Sequence, residues 1–486
     1  MNVDIVFSCR YYWLVAGWLV VAVSSLLAQN LSPKINLTAY YCQPCGSGCD
    51  EQRHEKPGRC PHCGMSLIQR SVVLMDSLTA ILKPDHKRNM ASQLIRSVDY
   101  DEGKLQKGLF VKPSWARLPP ISPTVQKQIN ALFADYNQPG KPGFSLGILT
   151  PSKVLFSKGY GLANLEYNRP NSPAAVYNIA SLSKQFTAAC VALLILRDSL
   201  SLDDPVAKYV PQVGQYADTI RIKHLVYMTS GIPEYHRLPR KNGLNWNMYD
   251  YFTVDTAIQA SLSQPKLDFA PGSQWAYSNV NYMLLTKIVE KVSGQRFSAF
   301  ARANLFAPLG MHSTQVNDDV TVVIPNRATG YLPLSPGLIE QTRQAGYYLH
   351  DRTGYAQTHR NAPHYGGSGV FTSINDWYLW NQNFYTHKLG GPRFYELMHQ
   401  RMRFNHAKDN DAFGLVFGQF EGEEMIWYAG GDIGFNSYVM RFPKQQLTVV
   451  CFSNINSSGE AEKVAHQVGH ILIQNKVLGV TKSTTK

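Results

Sequence analysis

The segment SLSKQFTAACVALLILRDSL, which begins at Ser181, has the composition of a helix that is buried on nearly every side. Its residues from Phe186 to Leu196 are apolar almost all round, whereas a surface helix keeps a polar face. The chain of 486 residues is long enough for two or three domains, since single domains usually comprise about 100–200 residues. With 44% apolar and 17% charged residues, wholesale disorder is excluded and folded domains are expected.

Short β-branched and aromatic runs bounded by Gly and Pro lie on both sides of this helical middle. FSLGIL and VLFSKGYG precede it and predict strands, while FGLVFGQF, MIWYAGG, NSYVMRF and LTVVCFSN follow it and predict successive strands of an antiparallel sheet. Further helices are predicted from NVNYMLLTKIVEKVSG, which ends at the C-cap residue Gly294, and from AEKVAHQVGHILIQNKV. Cys190 and Cys451 are isolated in apolar runs and are predicted to be buried. This order of elements predicts an α/β or α+β domain.

The composition changes along the chain and predicts five segments. The apolar stretch from Tyr11 to Ala28 follows Arg10 and resembles a signal peptide. An uncleaved membrane anchor is the alternative, because about 18 residues is close to the shortest span. Either way, the rest of the protein is expected in the periplasm, in the cell envelope or outside the cell. The predicted segments are a signal peptide or anchor (1–28), a cysteine-rich module (38–70), a linker region (71–120), the α/β domain (121–476) and a polar tail (477–486).

The formal net charge is +13 and the pI is about 9.2. A basic chain attracts nucleic acid, anionic lipid or an acidic cell wall. Lys and Arg are scattered, however, and no run of five or more occurs. The sequence therefore argues against a nucleic-acid partner and favours a basic envelope protein, with membrane association through the N-terminus as an option.

Ser181-Leu182-Ser183-Lys184 is one of three Ser-x-x-Lys patterns in the chain, and its context separates it from the other two. Those at Ser263 and Ser483 lie in a loop-like stretch and in the polar tail. Ser181 instead opens the buried helix, so that a hydroxyl and an amine share one helix face. Burial and the positive end of the helix dipole both favour a neutral amine, which can act as a base. A capping Ser followed by a solvated Lys is the alternative.

Tyr277-Ser278-Asn279 is the only Tyr-x-Asn sequence in the chain. It precedes a helix that is expected to begin near Tyr282. A phenol at such a loop-to-helix corner can shuttle a proton to and from the Ser181 oxygen, provided that neighbouring cations lower its pKa. Asn279 can hold a substrate amide and Lys184. A packing Tyr beside a capping residue is the alternative.

Tyr428-Ala429-Gly430-Gly431 lies on a predicted strand. Small residues on an edge strand let a substrate backbone approach closely. A backbone N–H there, paired with that of Ser181, can form an oxyanion hole, and one such donor typically contributes about 10²–10³ in rate. A glycine-rich hairpin turn is the alternative.

These three motifs, in this order, resemble those of the serine β-lactamase family, which includes class C β-lactamases, DD-peptidases, D-amino-acid peptidases and β-lactamase-like esterases. The resemblance extends from Ile121 to Ile473. It implies a helical subdomain packed against an antiparallel sheet with flanking helices, and an acyl-enzyme hydrolase that needs no cofactor. The catalytic residues that it implies are Ser181, Lys184 and Tyr277, and the substrate-binding residues are Asn279, Tyr428, Gly430 and Gly431, with the N–H groups of Ser181 and Gly431 as the oxyanion hole.

The third motif departs from the family pattern. It usually begins with Lys or His, and Tyr428 occupies that position here. The cation that would hold a substrate carboxylate is therefore missing. This favours an esterase, a D-amino-acid peptidase or a DD-peptidase over a true β-lactamase. The expected substrate is a small molecule or peptide, with cell-wall material as one source.

Two Cys-x-x-Cys pairs near the N-terminus have the spacing of a small zinc-ribbon-like knuckle. The stretch KPGRCPHCGM resembles the short heavy-metal-binding domain attached to metal exporters. Zn or Cu is therefore expected in this module, with a pair of disulfides as the alternative in an oxidising compartment. The predicted metal ligands are Cys42, Cys45, Cys60 and Cys63.

Two further hypotheses concern the whole protein. In one, it is a metal-binding or sensing envelope protein whose β-lactamase-like scaffold is catalytically inactive, as the substitution at Tyr428 suggests. In the other, it is a membrane-anchored penicillin-binding protein that acts mainly as a covalent binder of peptidoglycan.

Overall fold

The computed structural model describes residues 121–478, apart from 217, 239–251, 345–352, 361, 403–410 and 457–458, together with three short strands nearer the N-terminus. Those strands are β1 (Thr38–Tyr41), β2 (Arg53–His54) and β3 (Ile68–Ser71), which form an antiparallel sheet in the order β2-β1-β3. The chain divides into two compact units, residues 1–110 and 111–486, and these strands belong to the first. The predicted signal peptide and the predicted metal ligands Cys42, Cys45, Cys60 and Cys63 lie outside the described residues.

The second unit contains both helices and strands. Its helices are α1 (Pro123–Ala131), α2 (Ser183–Leu196), α3 (Ile222–Val226), α4 (Val254–Leu262), α5 (Asn279–Ser293), α6 (Phe297–Ala301), α7 (Ala307–Leu309), α8 (Pro336–Gln344), α9 (Ile374–Thr386), α10 (Gly391–Met398) and α11 (Glu460–Gln474). Its strands are β4 (Phe144–Leu149), β5 (Val154–Tyr160), β6 (Leu162–Asn164), β7 (Arg169–Pro170), β8 (Tyr177–Asn178), β9 (Gln315–Val316), β10 (Gly330–Pro333), β11 (Tyr355–Thr358), β12 (Val370–Thr372), β13 (Val416–Phe420), β14 (Glu423–Asp432), β15 (Phe435–Phe442) and β16 (Leu447–Ser453).

The main sheet has six antiparallel strands in the order β13-β14-β15-β16-β4-β5. It contains every strand that the sequence analysis predicted. The central strands β4 and β16 are buried along their whole length, which suits their short, continuous apolar sequences. Gly147 of β4 allows close packing of the helix above it, since a Cβ there would lie 2.8 Å from Ile374 Cγ2.

Helices cover both faces of this sheet, and alternate residues of a strand point to opposite faces. Val449 of β16 belongs to the core formed with α1 and α11, which includes Ile129. Val450 and Phe452 belong to the core on the other face, where Trp377 of α9 packs edge-on against Phe452 with ring centroids 5.7 Å apart. The predicted fold class, an antiparallel sheet flanked by helices, is confirmed.

The helical subdomain is built around α2, which is buried over most of its length as predicted and contacts α5 and α10. The helix α5 begins at Asn279 rather than near Tyr282, because the Ser278 side chain accepts a hydrogen bond from the first turn at 3.2 Å and caps the helix there. It ends as predicted before Gly294, whose φ of 69° suits a glycine C-cap.

The isolated cysteines of this unit have free thiols and behave as small apolar side chains. Cys190 in α2 and Cys451 in β16 are both fully buried, as predicted. Burial raises the pKa of both thiols, which keeps them protonated and unreactive.

Candidate active site

Ser181 lies in a 3₁₀ turn, Ala180–Leu182, that leads directly into α2. The α-helix begins at Ser183 and not at Ser181, because Ser181 belongs to this 3₁₀ turn. Ala180, the first residue of the turn, has a φ of 50°, outside the range of a right-handed helix. A non-glycine residue in this conformation costs on the order of 1–3 kcal/mol, and such residues cluster at functional sites. The Ala180 N–H donates a hydrogen bond to Asn178 Oδ1 at 3.0 Å, which stabilises the turn.

Lys184 is the fully buried partner of the Ser181 hydroxyl. Its Nζ lies 3.1 Å from Ser181 Oγ and 2.6 Å from Tyr277 Oη. It also contacts Asn279 Oδ1 at 2.8 Å and the main-chain oxygen of Gly367 at 2.6 Å. The structure therefore brings together Ser181, Lys184, Tyr277 and Asn279.

The contacts of Lys184 suit a neutral amine. Asn279 Oδ1 and Gly367 O can only accept hydrogen bonds, so they take the two N–H groups of a neutral amine. The nitrogen lone pair is then left for a hydroxyl donor. Burial lowers the pKa of Lys184 to about 7, although two nearby carboxylates act to raise it. A large share of molecules therefore has a neutral amine at neutral pH.

Tyr277 completes a hydrogen-bonded triangle, since its Oη lies 2.5 Å from Ser181 Oγ. Burial raises the pKa of this phenol; the hydrogen bond with Ser181 acts to lower it, while Glu234 and Asp432 raise it further. The expected lowering by neighbouring cations is not found, because the charged groups that act on the phenol are carboxylates. Tyr277 therefore keeps its proton and can donate it at neutral pH.

Glu234 is a buried carboxylate that the sequence analysis did not single out. Its Oε2 accepts hydrogen bonds from the N–H groups of Asn279 and Val280, at 2.8 and 3.2 Å, and from Ser278 Oγ at 3.1 Å. Its Oε1 accepts from Asn279 Nδ2 at 3.3 Å, which orients the amide oxygen toward Lys184. A negative charge is favoured at this position by the dipole of α5. The only sequence signal is its place directly after the turn-forming Gly-Ile-Pro.

The strand β14 brings Gly430 against the Ser181 turn. A Cβ on Gly430 would lie 2.6 Å from Ile179 O and 3.0 Å from Ser181 N, so no side chain fits there. Gly431 pairs with Asn436, one step from the two-residue turn between β14 and β15. Hydrogen-bonded and non-hydrogen-bonded pairs alternate along such a ladder, so the Gly431 N–H points away from β15.

Tyr428, on the same strand, is buried and lines a cavity of about 400 Å³. Trp275, Tyr277 and Val416 form other parts of its wall. The lining of the cavity is therefore mainly aromatic and apolar, and Asp411 is also part of it. The side chain of Tyr428 supplies a phenol at this position and not a positive charge.

The sequence profile of the family described as Beta-lactamase matches residues 129–472, well over half of the chain. The chain belongs to the beta-lactamase family. The matched region includes the whole hydrogen-bonded site, from Ser181 to Gly431.

Curated relatives and solved structures agree with this family. The chain is 26% identical to penicillin-binding protein 4* of Bacillus subtilis (strain 168) over 329 residues, which cover 66% of this chain and 70% of that protein. It is 28% identical to protein flp of Staphylococcus aureus (strain COL) over 358 residues, 70% of this chain but only 65% of that protein. The D-amino acid amidase from Ochrobactrum anthropi SV3 shares the fold, with a TM-score of 0.60 at 19% identity over 72% of this chain and 99% of that chain.

A buried ion pair completes this member of the beta-lactamase family, and the sequence analysis did not predict it. Asp432, at the end of β14, accepts hydrogen bonds from the guanidinium of Arg360, from Ser368 Oγ at 2.7 Å and from Asn178 Nδ2 at 2.9 Å. Burial acts to raise the pKa of Asp432, but Arg360 holds it below its usual range. Because Asn178 also holds the Ala180 N–H, the ion pair fixes the end of β14 against the Ser181 turn.

Glu234→Ala is expected to lower the free energy of unfolding by about 2–4 kcal/mol, because it leaves buried donors at the start of α5 without an acceptor. Denaturant unfolding would measure this. Glu340→Ala is the matched control, since Glu340 is an exposed glutamate that pairs with Arg343, and its loss should change stability by less than about 0.5 kcal/mol. Equal destabilisation by the two variants would contradict a special role for Glu234.

Proposed function

We propose that this chain is an exported serine hydrolase that cleaves an ester, amide or peptide bond through an acyl-enzyme on Ser181. The observation that carries the proposal is the hydrogen-bonded triangle of Ser181, Lys184 and Tyr277, in which a desolvated amine contacts both hydroxyl groups. A nucleophile and a base within hydrogen-bond reach, the base held by further groups, are the parts that nucleophilic catalysis requires.

The geometry supports the following sequence of steps. Lys184 removes the proton of the Ser181 hydroxyl, and the oxygen attacks the substrate carbonyl carbon. The N–H groups of Ser181 and Gly431 stabilise the resulting oxyanion. As the tetrahedral intermediate collapses, Tyr277 donates its proton to the departing alcohol or amine and recovers one from Lys184. Water then attacks the acyl-enzyme and gives up a proton to Lys184. As the acid departs, Lys184 passes that proton to the Ser181 oxygen, so that both groups return to their starting states.

The position of Tyr428 supports an esterase, a D-amino-acid peptidase or a DD-peptidase over a true β-lactamase. A cation at that position would hold the carboxylate that β-lactams carry, and a buried phenol offers no such charge. The likeness in fold to the D-amino acid amidase and the relationship to penicillin-binding protein 4* point in the same direction. A small molecule or peptide, including one from the cell wall, is the proposed substrate class.

A fluorescent fluorophosphonate is expected to label the wild-type protein and not Ser181→Ala, because only the wild type has the nucleophile. The same pair of proteins would be compared on p-nitrophenyl esters, D-amino-acid p-nitroanilides and a chromogenic cephalosporin. Turnover that depends on Ser181, with the cephalosporin the poorest substrate, is expected. Equal labelling of both proteins would leave the inactive-scaffold hypothesis as the better account, and slow release of a fluorescent penicillin would favour the covalent peptidoglycan binder.

The rate of inactivation by the fluorophosphonate is expected to rise about tenfold per pH unit below pH 7 and to level off above it. The sign follows from Lys184, which acts as a base only when neutral and whose pKa burial lowers to about 7. Burial lowers the pKa of His236 and of His364, two described histidines near the site. Measurement of the inactivation rate from pH 5 to 10 would test this pH dependence. A rise that continues unchanged to pH 10 would mean that Lys184 titrates as an ordinary lysine.

We also propose that residues 1–28 direct export and that residues 38–70 bind Zn or Cu through Cys42, Cys45, Cys60 and Cys63. Both proposals rest on the sequence. Among the described residues, no cluster of His, Cys, Asp and Glu could hold a metal, and no helix is long and apolar enough to cross a membrane. Anaerobically purified envelope protein is expected to begin at Gln29 and to contain about one metal equivalent, which Cys60→Ser/Cys63→Ser removes. A metal-free protein without free thiols in this module would indicate disulfides instead.

A further inference from the structure

A second cavity, of about 350 Å³, lies beyond the end of β14. Ile433, which directly follows the strand, and Asn178, which leads into the Ser181 turn, both line it. The cavity beside Tyr277 is lined by Tyr428 and Ala429, on the other side of Gly430 and Gly431 along the same strand. The two cavities therefore lie on opposite sides of the point where β14 meets the Ser181 turn.

Three of the residues that line the second cavity have a polar group without a hydrogen-bond partner among the described residues. Arg327 lines it, and no hydrogen bond or ion pair of its guanidinium is found among the described residues; its one contact of note is the ring of Phe371, 4.9 Å away. His364 is 6% exposed, and its Nδ1 has no partner although its Nε2 contacts Tyr235 Oη at 2.5 Å. Asn317 Oδ1 is likewise buried without a donor. Buried polar atoms are rarely left unpaired unless a ligand or water completes them.

No ion pair of Arg327 with a carboxylate is found among the described residues, and two carboxylates that adjoin cavity-lining residues in the chain are held by other arginines. Asp432 is occupied by Arg360, and Asp318, next to Asn317 in the chain, pairs with Arg296 at 3.2 Å. Arg327 is half-buried, and this burial lowers the pKa of its guanidinium. A half-buried guanidinium without a protein partner is a ready site for a bidentate carboxylate.

We propose that this cavity is an acyl-side pocket that selects substrates carrying a carboxylate in the acyl portion, with Arg327 as the group that binds it. The inference rests on the proposed function. Tyr277, the proton donor to the leaving group, lines the other cavity, so the leaving group occupies that side and the acyl chain passes Gly431 toward Ile433. A volume near the lower end for ligand pockets suits a side chain of the size of glutamate.

The test compares the α-p-nitroanilides of D-glutamic acid and D-glutamine, which differ in the charge of the side chain and hardly in its shape. The wild type is expected to favour the glutamyl substrate by about 10- to 100-fold in kcat/KM, the contribution of a charged hydrogen bond. Arg327→Gln should bring the ratio close to one. Arg302→Gln, which removes an exposed arginine outside the cavity, should leave the ratio at the wild-type value.

A second variant tests the pocket independently, in case Arg327→Gln misfolds. Asn317→Asp places a negative charge in the cavity and should reverse the preference toward the glutaminyl substrate. Turnover that depends on Ser181 with a ratio near one in the wild type would overturn the pocket and leave the proposed function standing. If no p-nitroanilide is cleaved, binding of glutarate by calorimetry decides: affinity that is lost in Arg327→Gln supports the pocket, and no binding by the wild type overturns it.

Discussion

The burial of one amine is the constraint on which the rest of the site depends. Taking a lysine side chain out of water strongly disfavours its charged form unless oxygen atoms surround it. Lys184 meets four oxygen atoms from separate parts of the chain: the turn before α2, the loop before α5, the first residue of α5 and the main chain at Gly367. These contacts can form together only when α2, the start of α5 and the segment at Gly367 pack in one arrangement, so the fold and the hydrogen-bonded site share the same requirement.

The surrounding charged groups shift the pKa of this amine but do not replace its hydrogen bonds. Burial lowers the pKa of Lys184, and the carboxylates of Glu234 and Asp432 partly oppose that effect. Each carboxylate is itself satisfied, Glu234 by the N-terminus of α5 and Asp432 by Arg360. Neither therefore needs the lysine as a partner. The site can thus keep a neutral base among buried acids, which a direct Lys–Glu ion pair would prevent.

Much of this architecture could be predicted from the sequence, because it depends on local patterns. The burial of α2 follows from its own apolar residues, and the strands β13 to β16 follow from their own β-branched and aromatic sequences. The end of α5 is marked by the glycine that follows it. Glu234, Arg360 and Asp432 could not be found in this way, since a single charged residue in a sequence is typical of a solvated surface. Their partners lie far along the chain, 45 positions from Glu234 to Asn279 and 72 from Arg360 to Asp432. The left-handed backbone conformation of Ala180 was also not predicted, because alanine normally favours a right-handed helix.

The distribution of positive charge around the two cavities distinguishes this site from the usual family pattern. The cavity beside Tyr277 presents Tyr428, a neutral phenol, at the position where the family usually has Lys or His. The cation nearest the end of β14, Arg360, is held by Asp432 and is not available to a substrate. Arg327, which lines the cavity beyond the end of β14, has no such partner among the described residues. Under the proposed function, a charged substrate group is therefore best accommodated beyond Gly431. The absence of a cation at Tyr428 would then change which end of the substrate is recognised, while the hydrogen-bonded triangle is kept.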